Sequence, residues 1–406
     1  MLIVILSVVL LVGVFSFCNK HWYKYIGVWY AIFTLAYLVP SYYIEKYGEQ
    51  VSISLLITYS LFLIPFLCCY LVLSSRFEYT VRNDESGLFY IEEKRRFILF
   101  TITYIAFLAY IKMFTNDLSG LLFASVSEQR NLIDITKTSS LILYVLTFFL
   151  MLIHTSTDRI RTNDYIFFVI FIFTLNLIYS RNPALIYGFA FFSYFLLTRR
   201  IKVSFIFVVS SVFVGAFLLG AINARRAVGF DILAIISHLV EHGVLEYSFG
   251  GEFTVPSRVE FFVGNAAGMG DIIKFPGFSL FVVTFNALIP DIFWTRLPTL
   301  SRVISDMYGT TGGLPFLLEI KYNFGNKLIP FFAVIFSLLV TSLDYVFNKC
   351  RINYLAKSLL FGLILYALLN SQRIDAAVFV KMFVVGLVIY LSLLFVVCCF
   401  LKRKAI

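Results

Sequence analysis

Charge is scarce in this chain. Asp, Glu, Lys and Arg make up 14% of its 406 residues against 60% hydrophobic ones, with a mean hydropathy of +0.90. Soluble domains carry roughly 25% charged residues, so that class is excluded. Cysteine is sparse and placed for neither of its usual roles. Cys18, Cys68, Cys69, Cys350, Cys398 and Cys399 lie in or beside apolar runs or in their basic flanks, and none falls within 223–326. A disulfide framework and a cysteine metal site are both excluded on that ground. The charged segment 74–96 has no phosphate-cradling glycine motif, which removes a nucleotide site. No repeat of fixed period is present. The first segment has neither a basic flank before it nor a small-residue cleavage site, so a retained span is expected rather than a signal peptide.

Long apolar runs dominate what remains. A span needs ~20 apolar residues to cross ~30 Å of hydrocarbon. Eleven runs qualify: 2–18, 25–43, 51–73, 97–114, 141–156, 165–179, 183–198, 203–222, 328–347, 354–370 and 376–401. Backbone polar groups in lipid must pair internally, so each is expected to be a helix. Short loops on one side carry eighteen Lys and Arg residues and those on the other carry six. The basic side faces the cytoplasm. The expected fold is therefore all-α, a polytopic transmembrane protein of about eleven spans. Its N-terminus is outside, its C-terminus is cytoplasmic, and it has one large periplasmic loop. The regions are 1–222 with spans one to eight, 223–326 as the loop with interfacial helices, and 327–406 with spans nine to eleven. The net charge of +10 is this positive-inside bias, and nucleic acid is excluded as a partner.

The loop is the one stretch long enough to build a site. It holds twelve of the 22 glycines and five of the nine prolines, with seven basic and nine acidic residues. Residues 229–249 read as an amphipathic run lying along a membrane surface. Phe275-Pro276-Gly277 opens an apolar stretch to Leu288, and 314–324 leads back toward the next span.

Arginines gather on the outer side against the positive-inside rule: Arg130, Arg181, Arg225, Arg226, Arg258, Arg302 and Arg373. Guanidinium groups grip phosphate oxygens bidentately and stay charged, so a lipid pyrophosphate is the anion expected there. Salt bridges within the loop or contacts with anionic headgroups are the alternative. Glu252, Glu260 and Glu319 are the outer carboxylates that suit a general base near a sugar hydroxyl; pairing with an arginine, as Glu252 with Arg258, is the other reading of them. His238-Leu239-Val240-Glu241-His242 matches an inverted zinc-peptidase pattern. It lies in an apolar surface run with no third ligand, so the polar edge of an amphipathic helix is the better reading and no metal is expected. Lys381 lies about two turns into the last span, placed to snorkel or to meet a carboxylate. Asp344 and Lys357 sit near cytoplasmic span ends.

Four groups of residues carry a family resemblance. They are Ala224-Arg225-Arg226, Gly250-Gly251-Glu252-Phe253, the run from Leu288 to Trp294, and the run from Gly312 to Gly325 that contains Glu319, Tyr322 and Asn323. With the short Arg181 connection, Arg373, and many spans around one late outer loop, the chain resembles the Wzy-type O-antigen polymerases, or oligosaccharide repeat unit polymerases. The resemblance implies a metal-independent, cofactor-free glycosyltransferase in the bacterial inner membrane. Such an enzyme transfers a growing glycan from undecaprenyl pyrophosphate to a new repeat unit on the same lipid. It implies catalytic roles for Glu252, Glu319, Arg225 and Arg226, and pyrophosphate binding by Arg130, Arg181, Arg258, Arg302 and Arg373. Tyr322, Asn323, His238 and His242 are further candidates. The implied partners are undecaprenyl-pyrophosphate-linked repeat units and membrane lipid, and a chain-length-regulating membrane protein stays open. An O-antigen ligase shares the many spans and the late loop. A lipid-linked oligosaccharide flippase or transporter would instead line its spans with charge and repeat its halves.

Overall fold

The computed structural model describes residues 25–43, 48–75, 91–114, 140–156, 165–166, 169, 171, 181–197, 224, 228, 231–242, 255–268, 279–288, 313–349 and 354–402. Among these the regular structure is entirely helical. The elements are α1 (Ile26–Tyr43), α2 (Glu49–Ser74), α3 (Glu93–Phe114), α4 (Ser140–Thr155), α5 (Arg181–Leu197), α6 (Ile232–Glu241), α7 (Val255–Gly268), α8 (Ser279–Leu288), α9 (Phe316–Phe324), α10 (Ile329–Lys349), α11 (Tyr354–Asn370) and α12 (Ala376–Lys402). The expected spans at 2–18 and 203–222, and most of 165–179, lie outside the described residues.

Three helical segments are long and apolar enough to cross a membrane: Glu49–Ser74, Asn326–Phe347 and Ala376–Cys399. Shorter apolar helices accompany them. The chain is thus a helical membrane protein. Its outward faces fit that solvent, because exposed apolar side chains recur at helical spacing. Ile98, Ile102 and Ile105 do so on α3, Phe331, Ile335, Leu338 and Val346 on α10, and Val388, Leu391 and Phe395 on α12. These stripes face hydrocarbon rather than a protein core.

Two packed clusters meet along α11. One joins α1, α2 and α10 through Tyr30, Phe62, Phe66 and Phe336. The other joins α3, α4, α5 and α12 through Phe107, Tyr144, Tyr187 and Tyr390. Thirteen of the 17 residues of α11 are buried, so it lies at the centre and packs on all sides. It can do so because Gly362 lets the backbones of α11 and α5 touch. A Cβ there would come within 2.6 Å of the Ala190 backbone. Small residues permit such close crossings where lipid supplies no hydrophobic drive between helices.

Helix ends depart from the expected boundaries where polar groups find distant partners. α3 begins four residues before the apolar run, because Arg96 is not a loop residue. It is buried, and its Nε donates 3.1 Å to the Ile153 carbonyl near the end of α4. A cation at that end shares this carbonyl with the Ser156 hydroxyl and complements the helix dipole. Asp344 is likewise no ordinary span-end carboxylate. It is fully buried in α10, accepting the Ile26 amide at 2.9 Å and the Tyr70 hydroxyl at 2.5 Å. It thereby caps the first amide of α1 from another helix. α7 is a helix in a stretch where the hydrophobic pattern marks no element. Pro256 in its first turn is the signal that was there to read.

Candidate functional site

α9 positions the polar groups. Nine residues long, it starts at Pro315, whose missing N–H costs a helix start nothing, and stops at Gly325, whose φ of 76° only glycine adopts freely. A single 3₁₀ turn then leads into α10. Alternate sides of α9 face two different polar groupings.

On one side, Glu260 of α7 is the hub. Its Oε1 accepts the Ser54 hydroxyl of α2 at 2.6 Å and forms an ion pair with Lys321 of α9. Its Oε2 accepts the Tyr322 hydroxyl at 2.6 Å. Lys321 Nζ also donates 2.9 Å to Ser54 Oγ. Glu260 is 6% exposed, so this is a buried pair whose desolvation is offset in part by the hydroxyls of Ser54 and Tyr322. Burial, and then the charge of Glu260, hold the Tyr322 phenol well above the usual tyrosine range, so it remains a donor. Nearby on α2, the Tyr59 hydroxyl is buried with no hydrogen-bond partner.

On the other side, α9 docks on the turn between α11 and α12. The Phe316 amide donates 2.9 Å to the Ser371 carbonyl. Glu319 Oε2 accepts the Ala376 amide at 2.7 Å, and Asp375 Oδ1 accepts the Val378 amide at 3.0 Å. Two carboxyl groups therefore cap the start of α12, one at its first amide and one at its third. Glu319 is 2% exposed. Burial pushes it up to about 8; the Ala376 amide opposes that, and the nearby Asp375 adds to it. At neutral pH it holds a proton. Gly313 allows the approach, since any side chain there would strike the Arg373 carbonyl oxygen and Ile374. Arg373 is half-buried in the turn, its Nε donating 2.7 Å to Asn370 Oδ1.

The sequence-derived candidates fall into three groups. Glu319, Tyr322 and Asn323 are together on α9, where Asn323 is buried and its Nδ2 donates 2.8 Å to the Glu319 carbonyl. Arg373 lies against the same helix through its turn. Arg258 is half-buried on α7, two residues before Glu260 and so about 200° round the helix from it. His238 and His242 lie apart on α6 and its cap, with ring centroids 4.1 Å apart; α6 is capped by Asp231, which accepts the Leu233 and Ala234 amides. Among the described residues no three His, Cys, Asp or Glu side chains group to hold a metal. Arg130, Arg225, Arg226, Glu252 and Arg302 lie outside the described residues, as does the side chain of Arg181. Two members of the Glu260 group escape a reading of the sequence: Ser54, an unremarkable serine in an apolar run, and Tyr59, whose hydroxyl gives no sign in sequence of lacking a partner.

Comparison with protein-family models, with curated proteins and with solved structures found no match.

Proposed function

We propose that the protein is a glycosyltransferase of the O-antigen polymerase type, working at the periplasmic face of the bacterial inner membrane. It has about eleven spans, an outer N-terminus and 223–326 as its periplasmic loop. The observation that carries this reading is the gathering of Glu260, Lys321, Glu319, Asp375 and Arg373 about one short helix, in a protein whose outward faces are apolar. Charge is costly in such a protein and concentrates where chemistry needs it. Arg130, Arg181, Arg225, Arg226, Arg258, Arg302 and Arg373 supply the guanidinium groups for the pyrophosphate.

The reaction breaks the bond between the donor's anomeric carbon and pyrophosphate oxygen. Negative charge builds on the departing pyrophosphate, and arginines fixed in advance stabilise it most in the transition state. A carboxylate takes the acceptor hydroxyl's proton. Glu319 is poorly suited to that, since it holds its own proton at neutral pH and commits an oxygen to α12. It serves instead to position α9 on the turn that carries Arg373. The base is then Glu252 or Glu260.

Deletion of the gene from its host, followed by gel analysis of lipopolysaccharide or capsule and by restoration of the gene, tests the reading. A polymerase leaves a single repeat on the lipid A core when lost. Polymer stranded on its lipid carrier would mean a ligase. Repeat units trapped in the inner leaflet would mean a flippase.

A further inference from the structure

The hydrogen-bonding capacity of the Glu260 group is incompletely used. A carboxylate offers about four lone-pair sites and an ammonium three donors. Ser54 and Lys321 occupy Glu260 Oε1, and Tyr322 occupies one site of Oε2. Lys321 spends two donors, on Ser54 and Glu260. One acceptor site at Oε2 and one ammonium donor remain, and the buried hydroxyl of Tyr59, on the same helix as Ser54, has no partner either. Unfilled polar valences in a dry interior are costly, and their persistence at one place calls for an occupant.

The chemistry of the occupant follows from charge. Glu260 and Lys321 neutralise each other, so the group offers a phosphate no net attraction, and the carboxylate would repel one. A neutral polyol fits, since each sugar hydroxyl both donates and accepts. We propose that Tyr59, Glu260 and Lys321 form the subsite for the acceptor sugar of the transfer described above, and that Glu260 takes the proton of the hydroxyl being glycosylated. The inference rests on that reading. The acceptor oxygen bonds to the donor's anomeric carbon while the bond from that carbon to pyrophosphate breaks. The electron pair departs on pyrophosphate, the proton passes to Glu260 Oε2, and water later carries it away. Lys321 holds the carboxylate in place between turnovers.

Three variants test this in protein reconstituted into lipid nanodiscs, with lipid-linked repeat units extracted from the deletion strain as probe. Tyr59→Phe removes a hydroxyl that binds nothing in the protein, so folding should be untouched; KM for the repeat unit should rise about tenfold with kcat preserved. Its affinity for undecaprenyl pyrophosphate without sugar should not change. Glu260→Gln should cut transfer about 100-fold or more. The double variant Glu260→Gln with Lys321→Met removes both charges. If the pair merely staples helices together, the double variant regains polymer relative to Glu260→Gln, and the proposal is overturned. An unchanged KM in Tyr59→Phe overturns it equally. Should deletion abolish polymer while these variants make it normally, only the subsite fails. Should deletion leave banding intact, the polymerase reading falls and the subsite with it.

Discussion

Replacing Glu319 by glutamine exchanges a carboxyl group for an amide of the same shape, and the outcome depends on whether that carboxyl is charged. Its ordinary value is 4.5 and burial lifts it to about 8. At about 1.4 kcal/mol for each pH unit, ionising it in place costs roughly 5 kcal/mol more than in the unfolded chain. The sign follows from which state binds the proton. Between pH 4.5 and 8 the unfolded chain gives the proton up while the folded protein keeps it, so stability falls as pH rises and levels off above 8. Below pH 4.5 the folded protein bears none of this cost. The substituted amide keeps an oxygen for the Ala376 N–H and has nothing to ionise. The variant should match the wild-type protein below pH 4.5, exceed it increasingly up to about pH 8, and hold that margin above. Thermal unfolding in detergent, followed by circular dichroism at several pH values, gives the comparison, and the difference between the two proteins cancels other titrating groups. Superimposable pH profiles would refute the reasoning, because Glu319 would then titrate as an exposed carboxylate does. The same variant should retain polymer synthesis, since Glu319 is assigned to positioning rather than proton transfer.

Other perturbations have equally definite outcomes. Gly362→Ala should separate α11 from α5 at Ala190 and cost about 1–3 kcal/mol, seen as a lowered unfolding midpoint. Asp344→Ala strips the cap from Ile26 and the partner from the Tyr70 hydroxyl. A loss of about 3 kcal/mol is expected, with Asp344→Asn recovering part of it; an unaltered midpoint in the alanine variant would contradict the buried cap. Arg373→Ala should slow polymerisation about 100-fold while the protein still reaches the membrane, read as short products on a gel.

Helix positions are legible in the sequence where apolar length alone decides them. α11 runs from Tyr354 to Asn370 and α12 starts at Ala376, both as read from the hydrophobic runs. Lipid imposes that rule on every spanning segment, so no tertiary knowledge is needed. Partnerships are not legible. Asp344 meets groups 274 and 318 positions away in the chain, and nothing local to Asp344 distinguishes it from a solvated span-end carboxylate. The Glu260 group draws on α2, α7 and α9, and only Glu260 and Lys321 carry a charge that draws notice. Glu319 stands out in the sequence through its surroundings near Lys321 and Asn323. Its burial, which changes its chemistry, depends on how α9 seats against a turn more than fifty residues later.

The placement of α11 bears on how the protein is made. The segment that both halves of the bundle clasp leaves the ribosome next to last among the described helices. α1 through α5 are therefore inserted well before their common axle exists, with the Gly362 crossing still to be formed and polar side chains unmet. Packing of the two clusters must wait for α11, and nascent chains halted after α10 should stay open to protease and to membrane chaperones until α11 and α12 arrive.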